Sequence, residues 1–243
     1  MRTALVTGAS SGIGEATARR LDRDGWRLIL VARRADRLER LAGELRDATP
    51  LPLDLVAEDA PRRAAEAVGE RLQLLVNNAG ASWRASFADG GWENVRKTMA
   101  INFDAAVRLT EALLPALRAA APSAIVNVSS IAGRIGRARS GAYSASKFAL
   151  AGWSEALWDE ERRHGVHVGL VLPGFISTEG FPQRELTRSP WTRWLVSTPD
   201  KVADAIVRAA NGKAEVCVPR PWGLVPRVRY LAPGLVRRLS GRF

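Results

Sequence analysis

Apolar residues in this chain come in short unbroken runs, and stretches with helical spacing separate them. The runs are Ala4–Val6, Leu28–Val31, Leu74–Val76, Ala124–Val128, Val166–Val171 and Val216–Val218, with a shorter one at Leu51–Leu53. Helical periodicity occupies roughly 12–24, 35–46, 58–70, 92–120, 141–164 and 199–211. Strands without polar alternation are buried on both faces, which is the signature of a parallel sheet. Alternation of such strands with helices predicts an α/β fold: a single doubly wound domain with a mainly parallel sheet of about seven strands. No internal repeat breaks the pattern. Two segments stay irregular, 175–198 and the tail from about 220. The expected organisation is therefore a main domain over 1–219 and a tail over 220–243.

Composition narrows this picture. A chain of 243 residues supports one sizeable core, and 47% hydrophobic residues exclude a disordered chain. The single cysteine, Cys217, excludes an internal disulfide framework and reads as a core thiol in a strand. The chain enters a strand at once, without a secretory-type apolar segment, so a cytoplasmic protein is expected. The net charge of +11 raises nucleic acid as a partner. Its distribution argues otherwise, and no nucleic-acid contact is expected. Six arginines (Arg220, Arg227, Arg229, Arg237, Arg238 and Arg242) lie after Pro219 with no acid among them. Elsewhere basic residues mix with acids, as in Asp36-Arg37-Leu38-Glu39-Arg40, and read as solvated helix faces.

Chemistry enters at the first strand end, in Thr7-Gly8-Ala9-Ser10-Ser11-Gly12-Ile13-Gly14. Glycines at this spacing allow a tight turn and close approach of backbone to a pyrophosphate. The helix that follows offers free N–H groups to the anion. Gly8, Ser10, Ser11, Gly12, Ile13 and Gly14 are thus candidate cofactor contacts. The second strand ends in Val31-Ala32-Arg33-Arg34. A carboxylate at this place would accept from a ribose 2′-hydroxyl. Here Ala32 leaves that place empty, and Arg33 and Arg34 suit a 2′-phosphate, so NADP(H) is expected in preference to NAD(H).

A second constellation is Tyr143-Ser144-Ala145-Ser146-Lys147, with Ser130 thirteen residues upstream. One helical turn separates the phenol from the ammonium, so the two share a face. A fixed ammonium favours the phenolate, and the expectation is a lowered Tyr143 pKa and a tyrosine able to exchange a proton near neutral pH.

With these motifs in order, the chain resembles the short-chain dehydrogenase/reductase family, in its branch of roughly 250 residues. The likeness covers about 1–215 and rests on Thr7-Gly8-x-x-x-Gly12-x-Gly14, Asp54, Asn77-Asn78-Ala79-Gly80, Asn102, Ser130, Tyr143-x-x-x-Lys147 and Pro173-Gly174. It implies a Rossmann-type domain that moves hydride between NADP(H) and a carbonyl/secondary alcohol pair. Tyr143 would exchange the proton with the substrate oxygen and Ser130 would hydrogen-bond that oxygen. Lys147 would tune Tyr143 and hold the nicotinamide ribose, and Asn102 would support a water beside Lys147. Asp54 and Leu55 would lie at the adenine, and Asn78, Ala79 and Gly80 along the adenosine and ribose. Pro173, Gly174, Ile176 and Thr178 would touch the nicotinamide. No metal is implied. The family's long helices pair across a twofold axis, which implies a homodimer or homotetramer.

Residue by residue, plainer readings stand beside these. Asp54 could cap the next helix, and Asn102 could sit at a helix kink. His164 and His167 read as capping or surface residues. The loop 175–198 holds Phe175, Phe181, Trp191 and Trp194, and Trp83 lies after Gly80. Such walls suit an apolar carbonyl substrate, or else pack on the body. Trp153 and Trp158 are expected to face a neighbouring subunit or the core. The tail mixes arginines with Trp222, Leu224, Val228, Tyr230 and Leu231, which allows peripheral contact with an anionic membrane. Closure of the substrate pocket or of a subunit interface is the preferred role. A non-catalytic NADP(H)-binding regulator is the alternative to an enzyme.

Overall fold

The computed structural model describes residues 2–177, 179 and 196–234, the side chains of Val225, Arg227 and Tyr230 excepted. The parallel strands are β1 (Thr3–Thr7), β2 (Arg27–Ala32), β3 (Ala48–Pro52), β4 (Leu74–Asn77), β5 (Ser123–Val128), β6 (Val166–Pro173) and β9 (Glu215–Val218). They form one seven-stranded sheet in the order β3-β2-β1-β4-β5-β6-β9. The order reverses between β1 and β4, so the loops leaving their C-terminal ends part and open a crevice.

Residue alternation explains why the strands carry no polar face. Ala4, Val6, Leu28, Leu30, Leu74, Val76 and Val126 point to one layer, built on α1 (Gly12–Arg23), α2 (Ala35–Glu44) and α7 (Pro199–Ala210). Leu5, Ile29, Val31, Leu75 and Ile125 point to the other. That layer holds α3 (Ala60–Val68), α5 (Ala105–Ala119) and α6 (Gly141–Glu161). The predicted doubly wound α/β fold is the one observed.

Three departures bear on the site. The helical stretch expected over 92–120 starts earlier, with α4 (Phe87–Met99), because Ser86 caps it. The Ser86 hydroxyl accepts from the Asp89 N–H and donates to the Asp89 carboxylate at 2.6 Å. Gly90-Gly91 hides this start in the sequence, and Gly91 does break helical geometry at φ 50°. A π-helical turn, Ala100–Asp104, then joins α4 to α5. Finally, a short parallel pair joins the two ends of segment 175–198: β7 (Phe175–Ile176) against β8 (Val196–Ser197). The tail is not wholly irregular, since a 3₁₀ turn at Arg220–Gly223 leads into α8 (Leu224–Leu231).

Cys217 lies on the edge strand β9 and is half-buried rather than in the deep core. His167 sits inside β6 opposite Ala124, with its Nε2 shielded from solvent, so it is neither a cap nor a surface residue. His164 remains exposed at the end of the helix, before Gly165 in left-handed geometry. Trp153 packs edge-on to Phe103 at 6.2 Å, and Trp158 is exposed. Among the described residues no helix is long and apolar enough to cross a membrane.

Candidate active site

Both flanks of the crevice are built from backbone. On the β1 side, Gly8 and Gly12 take positive φ angles of 68° and 58°. A Cβ on Gly14 would lie 2.2 Å from the Gly8 carbonyl oxygen, so α1 can meet the turn only without a side chain there. On the β4 side, Thr7 accepts from the N–H groups of Asn78 and Ala79 at 2.9 and 3.0 Å. The Asn78 amide returns a bond to the Thr7 carbonyl at 2.8 Å. A Cβ on Gly8 would strike that amide. Gly8, Gly12, Gly14, Asn78 and Ala79 thus form a single cross-tied rim at the switch point. Ile13 is half-buried at the start of α1, and Gly80 is exposed on the opposite flank.

Arg34 folds back onto the glycine turn. Its guanidinium donates to the Ser10 hydroxyl at 3.0 and 3.2 Å and to the Ser11 hydroxyl at 2.8 Å. Arg33 is exposed beside it. The cation thereby stands at the α1 N-terminus, whose own partial positive charge also favours an anion. Ala32 is buried and offers no carboxylate. Asp54 is exposed and accepts from the Val56 N–H at 3.1 Å, which closes a local turn rather than capping α3, while Leu55 is buried.

Deeper in the cleft, Tyr143 and Lys147 project from α6 toward the ends of β5 and β6. Lys147 is 4% exposed, and its ammonium donates to the Val128 carbonyl at 2.9 Å. Burial lowers its pKa to about 8. Its Nζ stands 5.8 Å from the centre of the Tyr143 ring. The expectation of a lowered Tyr143 pKa is not met here. Burial raises it, and a hydrogen bond with the Ser130 hydroxyl opposes that rise. The reason is geometric: the ammonium is committed to Val128, so desolvation of the phenol outweighs it. Ser130 also reaches the Pro173 carbonyl at 3.3 Å and accepts from the Ala132 N–H.

Asn102 occupies the π-helical turn and is 1% exposed. Its side chain pairs with both backbone groups of Ala81, at 2.8 and 2.9 Å, and donates to Ser146 at 3.0 Å. A Cβ on Gly80 would lie 2.8 Å from that amide and 3.5 Å from the Lys147 nitrogen. The kink therefore brings the 79–81 loop against the buried cation.

The structure also shows supports that motif reading missed. Ser129 donates to the Lys147 carbonyl, and Gly133 leaves room for it, since a Cβ there would approach that carbonyl to 2.6 Å. Ser146 is fully buried and donates to the Tyr143 carbonyl. Asn77, Asn127 and Ser154 form a buried amide–hydroxyl ladder across β4, β5 and α6. Asn77 already stood in the motif Asn77-Asn78-Ala79-Gly80, and Val126-Asn127-Val128 was the further signal, an asparagine inside an apolar strand.

On the far side Pro173 and Ile176 are buried, and Gly174 contacts the tail. A Cβ on Gly174 would fall 2.6 Å from the Trp222 indole, and Phe175 meets that indole edge-on at 5.4 Å. Glu179 crosses to Arg37 of α2 in a two-pronged ion pair at 2.6 and 3.0 Å. Thr178, Phe181, Trp191 and Trp194 lie outside the described residues.

The chain is similar to known proteins over most of its length. The family model described as short chain dehydrogenase matches residues 2–188. A rhamnolipids biosynthesis 3-oxoacyl-[acyl-carrier-protein] reductase of Pseudomonas aeruginosa is 38% identical over 187 residues, covering 71% of this chain and 72% of the relative. A short-chain dehydrogenase structure from Streptomyces avermitilis superposes with a TM-score of 0.82 at 30% identity, over 97% and 96% of the two chains. A Pseudomonas aeruginosa structure described as an NADP active-site complex gives 0.77 at 30% identity, over 89% and 93%.

The buried ammonium carries a pH signature. Folded Lys147 loses its proton near 8, against 10.5 for the free side chain. Between those values the unfolded chain binds more protons, so raising the pH stabilises the fold. Below this window the ammonium is charged in both states and the folded state bears the cost of burying it. Lys147→Met removes the contribution. The expected result is that the stability difference between the native protein and this variant shifts in favour of the native protein from about pH 8 to about pH 10. Urea midpoints across that range measure it, and parallel pH profiles for the two proteins contradict it.

Proposed function

We propose that this chain, which belongs to the short-chain dehydrogenase family of oxidoreductases, reduces an apolar carbonyl compound with NADPH. The observation that carries the reading is the meeting of Ser130, Tyr143 and the buried Lys147 ammonium at one wall of the switch-point crevice. The residues present fit a nicotinamide dinucleotide. Gly8 and Gly14 form a cradle that side chains would fill, and Ser10, Ser11, Gly12 and Ile13 border the α1 N-terminus. Asp54, Leu55, Asn78, Ala79 and Gly80 would hold the adenosine and ribose, and Pro173, Gly174, Ile176 and Thr178 the nicotinamide. When bound, that group supplies the hydride.

The chain's own residues handle the proton. Tyr143 donates it to the substrate oxygen, and Ser130, already in hydrogen-bonding reach of the phenol, orients that oxygen. As the phenol gives up its proton, negative charge develops near the Lys147 ammonium, which favours the phenolate. Asn102 holds the wall behind Lys147 through Ala81 and Ser146. Phe175 and Trp222 supply an apolar wall, which suits a lipophilic ketone or an oxoacyl chain. The name of the Pseudomonas aeruginosa relative makes oxoacyl thioesters the first compounds to test.

Tyr143→Phe keeps the ring and loses the exchangeable proton. Turnover of ketones, aldehydes and oxoacyl thioesters should fall by at least about 100-fold, as expected when a positioned acid is lost. NADPH binding, followed by fluorescence, should persist. Near-native turnover by the folded variant removes the mechanism. An intact chain that binds NADPH and consumes it with no carbonyl compound supports instead the reading as a binding regulator.

The 2′-phosphate reading rests on Arg33 and Arg34. Charge-assisted bonds contribute about 1.5–3 kcal/mol each, or roughly 10- to 150-fold in preference. Arg33→Ala with Arg34→Ala should lower the NADPH/NADH ratio of kcat/KM by at least the smaller of those factors. An unchanged ratio reduces both arginines to surface charge.

The proposed assembly is a homodimer or homotetramer. Phe87 and Trp92 on α4 and Trp158 on α6 are exposed, and a twofold axis lets one patch cover itself. Light scattering at micromolar concentration should give twice or four times the 26.4 kDa chain mass. A monomer with full activity contradicts it.

A further inference from the structure

The start of the tail is built into the cleft. Trp222 packs on Gly174. On α8, Arg229 donates to the Arg134 carbonyl at 2.5 Å and its guanidinium stacks on Phe148 of α6 at 5.1 Å. This fixes the inner side of α8. The outer side carries Leu224, Val228 and Leu231, which are 58%, 43% and 87% exposed. Their i, i+4, i+7 spacing puts them on one face. A row of large apolar side chains in water is unfavourable and marks a contact surface.

The described charges beside this row are mainly cations. Arg220 is exposed just before α8, and the sequence from Arg220 onward carries no acid. Two other segments border the cleft, 81–87 and 134–140, and the Ala85 N–H joins them by donating to the Arg139 carbonyl. They add Arg84, Arg134, Arg137 and Arg139, again without an acid. Arg134 is answered by Glu155 and Glu215, whereas Arg84 and Arg139 are exposed. The same segments expose Trp83.

We propose that the outer face of α8, with the basic mouth of the cleft, docks on an anionic lipid surface. Headgroups answer the arginines, and the acyl boundary takes up Leu224, Val228 and Leu231. Nucleic acid would answer the charge but leave the leucines in water. A second copy of this chain would cover the leucines but set arginines against arginines. The cleft then opens at the bilayer, where a lipophilic carbonyl compound is concentrated. The docking itself does not depend on the reductase reading, because vesicle binding is read without turnover.

The test is co-sedimentation of the full chain with vesicles of phosphatidylcholine alone or mixed with phosphatidylglycerol. Binding is expected only to the anionic vesicles. It should weaken as salt shortens the screening length from about 8 Å at 0.15 M to about 3 Å at 1 M. Leu224→Ser/Val228→Ser/Leu231→Ser should lower partitioning by roughly tenfold or more, since it removes the buried apolar groups. Circular dichroism, light-scattering mass and turnover of a water-soluble carbonyl should not change. If the triple variant does not fold, Leu231→Ser alone, at the most exposed position, should weaken binding in the same direction. No binding by the intact chain overturns the proposal, as does equal binding by the folded variant. Loss of oligomer mass in the variant, without vesicle binding by the intact chain, also overturns it and makes this face an interface between copies.

Discussion

A buried ammonium organises this structure. Lys147 is almost sealed from water, and its cation rests on a neutral acceptor, the Val128 carbonyl. That arrangement is unfavourable in isolation, as the fall of its pKa to about 8 records. The surrounding chain is shaped to keep it in place. Ser129 holds the backbone carbonyl of Lys147, and Gly133 has no side chain to disturb it. Gly80 lets the opposite wall come within a few ångströms of the ammonium. The π-helical turn at Ala100–Asp104 aims Asn102 at the same wall. Residues from three other parts of the chain thus serve one charge. Such concentration of unfavourable burial is typical of sites shaped by chemistry rather than stability.

The same cation accounts for the unexpected sign at Tyr143. One turn of α6 is enough to place phenol and ammonium on the same face, but a shared face does not fix where a long side chain ends. Lysine has four rotatable carbons, and here they carry the nitrogen to the strand end. In this state the phenol feels burial more than charge. A negative charge arising on the phenolate would change the balance, because the ammonium stands 5.8 Å from the ring centre. The tyrosine is then neutral at rest and favoured as an anion only as its proton leaves, which suits a donor during reduction.

Much of this was legible because it depends on local rules. Unbroken apolar runs announce a sheet buried on both faces, and Gly8, Gly12 and Gly14 announce a turn whose backbone must be bare. The doubly wound class follows from the alternation of such runs with helical stretches. Other features depend on partners distant in sequence. The Asn77–Asn127–Ser154 ladder needs β4, β5 and α6 side by side, and no window of the sequence contains all three. The start of α4 was hidden because Gly90-Gly91 outweighs the Ser86 cap in any propensity reading. The kink at Asn102 was readable as a kink, since an asparagine is a poor helix-interior residue. Its π geometry and its hold on Ala81 were not. The roles of Ser129, Ser146 and Gly133 are likewise invisible until the fold brings them to Lys147.

Gly174 belongs to a motif and also serves packing. In the sequence it belongs to Pro173-Gly174 at the end of β6, where the family resemblance implies contact with the nicotinamide. In the structure its missing side chain also makes room for the Trp222 indole. One residue earlier, the Pro173 carbonyl lies within reach of the Ser130 hydroxyl. The tail is therefore coupled to the site through two consecutive residues of one strand end. The boundary drawn near 219 on composition marks a change in charge, because that is what composition measures. Packing is continuous across it, since Trp222, just past the boundary, rests on Gly174 and Phe175.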